Sequence, residues 1–155
     1  MFFAGGEPVR LLIVDDNNEY RKYLRRVLSA EEDLIVENEA SDGEGAVLLA
    51  QQLKPDVILM DVNLPGIDGL NATRRIKEQL TRTAVIILSN DETCRDTAAS
   101  FGADAFLSKS SSLSEILAAI RRTQSNQGEH ESPSKPTDSK GKGVALTVLL
   151  LLGMV

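Results

Sequence analysis

Short runs of consecutive apolar residues alternate along the chain with longer stretches in which apolar positions recur every three or four residues. The short runs are Arg10 to Val14, Leu34 to Glu37, Val57 to Met60, Ala84 to Leu88 and Ala105 to Leu107; they are rich in branched side chains and read as strands. The first, third and fourth are nearly continuous in apolar character, as expected of central parallel strands covered on both faces. Between the runs, Tyr20, Leu24, Val27 and Leu28 share one stripe of a helix, and Ala46, Leu49, Ala50 and Leu53 share another. Leu70, Thr73, Arg74 and Lys77 mark a more polar third helix. A fourth, from about Glu92 to Ser100, is short and weakly two-faced, so its packing should be the least secure. Leu113, Ile116, Leu117 and Ile120 give the last helix a clear apolar face, with Ser112 or Ser114 placed to cap its start. This alternation predicts an α/β fold, a parallel sheet flanked by helices.

Polar segments set the expected boundaries. Residues 1–8 read as a disordered leader, 9–124 as one domain, 125–143 as a flexible linker with almost nothing to bury, and 144–155 as an apolar tail. The opening MFFAGGEP lacks a basic stretch followed by an apolar one, so it is not read as a secretion signal. The net charge of -6 changes the functional picture, because a phosphate backbone selects a basic face and direct nucleic-acid binding is therefore not expected. Cys94 is the only cysteine, which excludes an internal disulfide and suits a cytoplasmic protein. As a helix the tail VALTVLLLLGMV is only ~18 Å long against a hydrocarbon core of ~30 Å, so a membrane span is not expected. Three readings of it stay open: an interfacial or partner-docking segment, a segment folded back on the domain, or an out-of-frame remnant of a lost effector domain. The remnant is favoured, and it predicts a tail dispensable for the domain's chemistry.

In an open α/β sheet, chemistry gathers beyond the carboxyl ends of the strands. LLIVDD ends in Asp15 and Asp16, VILMD in Asp61, VIILS in Ser89 and AFLSK in Lys109. Any one alone is an ordinary polar residue where a strand meets water, but four at corresponding ends predict a site. Two carboxylates ~4 Å apart repel by ~4 kcal/mol at an effective dielectric of ~20, so the cluster demands cations. Lys109 supplies one, and a group of acidic oxygens suits Mg²⁺, which takes one or two carboxylates and keeps several waters. A carboxylate beside a metal and an ammonium group is equipped to attack a phosphoryl group and form an acyl phosphate.

LLIVDDN, VILMDVNLPGIDGL, VIILSN and GADAFLSK together resemble the receiver domain of two-component response regulators over about Val9 to Arg122, and GADAFLSKSSSLSEILAAIRR is similar to receivers of the NarL and FixJ groups. The resemblance implies a flavodoxin-like, doubly wound sheet of five strands with five helices. It implies that Asp61 accepts a phosphoryl group from a histidine kinase or phosphotransfer protein. Mg²⁺ is then held by Asp16, Asp61 and the backbone carbonyl of Asn63, with Asp15 helping through water. Lys109 matches the family's lysine, Ser89 the switch hydroxyl and Phe106 the switch aromatic. Asn63 and Asp91, two residues beyond Asp61 and Ser89, are expected to flank the approach of water and tune dephosphorylation. Two positions depart from the pattern: Phe106 lacks the hydroxyl of the tyrosine common there, and Ser110 follows Lys109 where many receivers have proline.

The expected function is a switch that catalyses only its own phosphorylation and dephosphorylation, with a regulated protein contact as output and a homodimer on phosphorylation among its partners. NarL and FixJ receivers usually carry a helix-turn-helix domain, for which the residues after the receiver are too few, so a shortened DNA-binding regulator is the alternative. A phosphohydrolase is the weakest reading, because Asn63 and not a second aspartate stands two residues beyond Asp61. His130, within the expected linker, has no neighbouring ligands and reads as solvated. Arg21, Lys22, Arg25 and Arg26 form a basic patch, either a solvated face or a docking face for an acidic partner.

Overall fold

The structure, a computed structural model, describes residues 6–128. Most of the expected leader, the linker from residue 129 and the apolar tail lie outside the described residues. The chain runs β1 (Val9–Val14), α1 (Asn18–Ser29), β2 (Leu34–Ala40), α2 (Gly43–Leu53), β3 (Val57–Asp61), α3 (Gly69–Gln79), β4 (Ala84–Leu88), α4 (Arg95–Ser100), β5 (Ala105–Leu107) and α5 (Leu113–Gly128). All strands are parallel in the order β2-β1-β3-β4-β5, the flavodoxin-like arrangement.

Alternation along the strands divides the core in two. Leu11, Ile13, Leu59, Ile86 and Leu88 pack with Leu24 and Leu28 of α1 and with Ile116 and Ile120 of α5. Leu12, Val14, Ile58, Met60, Val85 and Ile87 pack with Ala46 and Ala50 of α2, Ala72 and Ile76 of α3 and Ala98 of α4. Each fully buried Leu or Ile contributes about 1.5–3 kcal/mol, which explains why β1, β3 and β4 read as unbroken apolar runs.

Two elements, β2 and α5, extend beyond expectation. Strand β2 continues past Glu37 to Ala40 across a bulge opposite Leu11 and Leu12. The polar Asn38 and Glu39 hide the continuation, since on this edge strand acids pair with arginines: Glu37 with Arg10 at 2.6 Å and Glu39 with Arg25 at 2.7 Å. Helix α3 is the more polar helix expected, burying Leu70, Ala72, Thr73 and Ile76 while Arg74 is exposed and lies over the ring of Phe101. Helix α5 runs four residues into the expected linker. Just before that extension Thr123 is buried with its hydroxyl on the Ile120 carbonyl, and within it Gln127 donates to the carbonyl of Arg82. Its start is a reciprocal cap, Glu115 N–H to Ser112 Oγ at 3.2 Å and Ser112 N–H to Glu115 Oε2 at 2.6 Å. Helix α4 is as slight as its sequence suggests, a 3₁₀ turn at Glu92–Cys94 leading into six residues of which Ala98 alone is buried.

Candidate functional site

Strand register assembles the site. Val14 pairs with Met60, so Asp15 lies level with Asp61, and Asp61 itself pairs with Leu88, one residue before Ser89. Lys109 follows β5, whose Leu107 pairs with Leu88. Four side chains far apart in sequence thus meet at the carboxyl edge of the sheet.

Asp15 and Asp61 are 2% and 3% exposed, and the Lys109 ammonium lies 2.6 Å from Asp15 Oδ2 and 3.2 Å from Asp61 Oδ2. Asp15 is fixed further by the Asn17 N–H on its Oδ1 at 2.8 Å, and its carbonyl accepts from Arg21 Nη1 at 2.6 Å. Asp61 Oδ1 accepts weakly from the Asn63 N–H at 3.4 Å. Asp16 is exposed, and Asp15, Asp16 and Asp61 each bring an oxygen within 4.8 Å of the others. The donor set fits a hard cation such as Mg²⁺: oxygen ligands only, two of three nearly buried, and more negative charge than one lysine offsets.

Burial, and next the charge of Asp15, push the Asp61 carboxyl above the usual carboxylate range, with Lys109 opposing. For Lys109, burial favours the neutral amine, but the bonds and charges of Asp15 and Asp61 together outweigh it and hold the ammonium above its usual value. The site is thus an ammonium locked on two crowded carboxylates, and it opens on a cleft lined by Asp61, Asn63, Ser89, Asn90, Asp91 and Lys109.

Around the cleft, Ser89 is buried and its hydroxyl accepts the Asp91 N–H at 3.1 Å. Asp91 lines the cleft but directs its carboxylate into the start of the 3₁₀ turn, accepting from the Thr93 hydroxyl at 2.6 Å and the Thr93 N–H at 3.0 Å. Those bonds hold its carboxyl below the usual range. Phe106 is half-buried against the α2–α4 side of the core, and Arg95 covers it, guanidinium 4.6 Å from the ring centroid and Nη1 3.3 Å from the Phe106 carbonyl. Ser110, in place of proline, donates its N–H to Ser108 Oγ at 3.1 Å, a bond that proline cannot make, and Ser108 also bonds Asn90 across the cleft rim.

The sequence profile of the response regulator receiver domain matches residues 11–121. The chain belongs to this family. LiaR, a transcriptional regulatory protein of Bacillus subtilis, is 38% identical over 126 residues, covering 80% of this chain and 60% of LiaR. A LuxR-family response regulator from Aurantimonas matches at TM-score 0.74 and 29% identity, over 77% of this chain and 87% of that one. A CheX–CheY–BeF3–Mg²⁺ complex from Borrelia burgdorferi contains a chain matching at TM-score 0.71 and 25% identity, over 77% of this chain and 91% of that one. The receiver spans 57% to 61% of the length of its VraR, LiaR and NarL relatives.

The structure brings Asp15, Asp16, Asp61 and Lys109 together, sets Asn63, Ser89 and Asp91 at the rim, and leaves Phe106 beside α4. Sequence reasoning missed Gly69. A side-chain carbon there would fall on the carbonyl oxygen of Asp61, so only glycine lets α3 start this close to the site, its N–H on the Val62 carbonyl at 2.8 Å. The signal was present as Asp68-Gly69, a helix cap with its carboxylate on the Asn71 N–H followed by a residue without a side chain. The basic patch on α1 is largely spent within the fold: Arg21 and Arg25 pair with Glu39, and Lys22 pairs with Glu19. Among the described residues no helix is long and apolar enough to cross a membrane.

Proposed function

We propose that this receiver is a phosphorylation-dependent switch in which Asp61 accepts a phosphoryl group from a histidine kinase or phosphotransfer protein and thereby alters a protein contact. One observation carries the reading: the Asp61 carboxylate is nearly buried, lies 3.2 Å from an ammonium group, shares a cluster with two further carboxylates, and still borders an open cleft. An Asp61 oxygen bonds to the phosphorus, the bond from phosphorus to the donor breaks, and its electron pair leaves with the donor. Lys109, already at the carboxylate, donates to a phosphoryl oxygen and offsets its charge. Because Ser89 Oγ accepts from the Asp91 amide, its own proton is available to a second phosphoryl oxygen.

Asp16, Asp61 and the Asn63 carbonyl, with Asp15 behind them, would hold Mg²⁺, which when bound supplies further neutralisation of phosphoryl charge. The BeF3 and Mg²⁺ named with the similar CheY support that assignment. The chain's catalysis is confined to its own phosphoryl group, in keeping with a cytoplasmic signalling protein, and phosphorylation-dependent pairing of two copies is one form the output can take. Incubation with Mg²⁺ and acetyl phosphate should label Asp61, and Asp61→Asn should abolish the label; unchanged labelling in that variant overturns the assignment. A second reading, in which this receiver is part of a DNA-binding regulator, draws on the LiaR relative and on the 60% of LiaR that the chain spans.

A further inference from the structure

Lys109 has three donors on a flexible four-carbon stem, and its two carboxylate partners do not hold it equally, at 2.6 Å from Asp15 and 3.2 Å from Asp61. A third group meets it: the ring of Tyr20, in the first turn of α1, with Lys109 Nζ 5.1 Å from the ring centroid, inside the range of a cation–π contact.

The Tyr20 hydroxyl is buried with no hydrogen-bond partner among the described residues. The ring face is the part of Tyr20 that meets a charged group among the described residues. The ring is also tied to the carboxylate that Lys109 grips. Asn17 accepts the Tyr20 N–H at 3.0 Å while donating its own N–H to Asp15, and the adjacent Arg21 holds the Asp15 carbonyl. Tyr23 stacks beside Tyr20 with ring centroids 6.1 Å apart, which restricts rotation away from the lysine.

We propose that Tyr20 is a positioning residue for phosphoryl transfer: its ring face fixes the Lys109 ammonium between Asp15 and Asp61, where a phosphoryl group on Asp61 meets it. This rests on the phosphoryl-transfer reading above. Tyr20 touches neither donor nor metal and acts only through Lys109. Phenylalanine therefore serves as well as tyrosine, and an aliphatic side chain of similar bulk does not.

The test compares full-length wild type with Tyr20→Phe, Tyr20→Leu and Tyr20→Met, the last pair ensuring that at least one folded aliphatic variant is measured. Without phosphodonor, the Lys109 Hε proton resonances should show an upfield ring-current shift that Phe keeps and that Leu and Met lose. With acetyl phosphate and saturating Mg²⁺, the labelling rate should fall about 3- to 10-fold in Leu and Met and stay within about twofold in Phe. The Mg²⁺ concentration for half-maximal labelling should move less than about twofold in all, which a general loosening of the site would not leave unchanged. Leu and Met labelling at the wild-type rate, or Phe slowed as much as Leu, overturns the proposal. If wild type itself is unlabelled, the phosphoryl-transfer reading falls and takes this one with it. Wild-type labelling with indifferent aliphatic variants sinks only the role of Tyr20.

Discussion

Asp61 sits where an ionised carboxyl is costly, buried and beside Asp15, and Lys109, with a weak bond from the Asn63 N–H, offsets only part of that cost. Its folded pKa is raised, so the unfolded chain releases this proton at a lower pH than the folded one. Below the ordinary carboxylate value of about 4 both states are protonated and Asp61 carries no penalty; as pH rises through the raised folded value, the penalty develops in full. Asp61→Asn should therefore be more stable than wild type near neutral pH, by roughly 1–2 kcal/mol in urea unfolding, with the gain vanishing toward pH 4. A gain that does not vary with pH would place its origin outside the ionisation of Asp61, and no gain or a loss would show that Lys109 compensates the carboxylate fully. The acids and the lysine of this site were legible in sequence because each ends a strand, and strand ends converge. The role of Tyr20 was not, because a ring over an ammonium far along the chain leaves no local pattern, and Asp68-Gly69 marks a helix start without showing which carbonyl the glycine meets.

Elements differed in legibility for a physical reason. Strands buried on both faces admit polar residues only at their ends, so β1, β3 and β4 were plain, but β2 ends in acids that its arginine partners make tolerable, and its length was underestimated. The last turn of α5, Ser125 to Gly128, is polar because the helix's last buried side chain is Thr123, and so it resembled linker. At the start of α4 the difficulty is functional, since Asp91 both caps the turn and borders the cleft. Asn retains an oxygen for the cap while Ala removes it. If the Asp91 carboxylate also orients the water that attacks the acyl phosphate, both variants should lengthen its lifetime, roughly three- to tenfold and far short of a full general-base contribution. Decay of labelled protein after donor removal measures this. A lengthened lifetime in Ala with a wild-type rate in Asn would assign the effect to the cap.

At the scale of the whole molecule, every residue assigned to the site lies between Asp15 and Lys109, and the sheet that positions them is closed on both faces by α1 to α5. The domain therefore contains what its proposed chemistry needs, and the question is where it stops. A boundary at 124 cuts α5 short of Gln127, whose side chain reaches the Arg82 carbonyl, and a cut after Arg122 also removes Thr123 from the core. Truncation after Gly128 should leave the urea midpoint and the rate of Asp61 labelling unchanged. Truncation after Arg122 should cost about 1–2 kcal/mol, the range for losing a buried side chain with its hydrogen bonds. The two cuts separate the helix from the apolar segment beyond it, which one deletion alone would confound. If the Gly128 truncation abolishes labelling, or if the full chain sediments with lipid vesicles and that truncation does not, the apolar segment has a working role and is not a remnant.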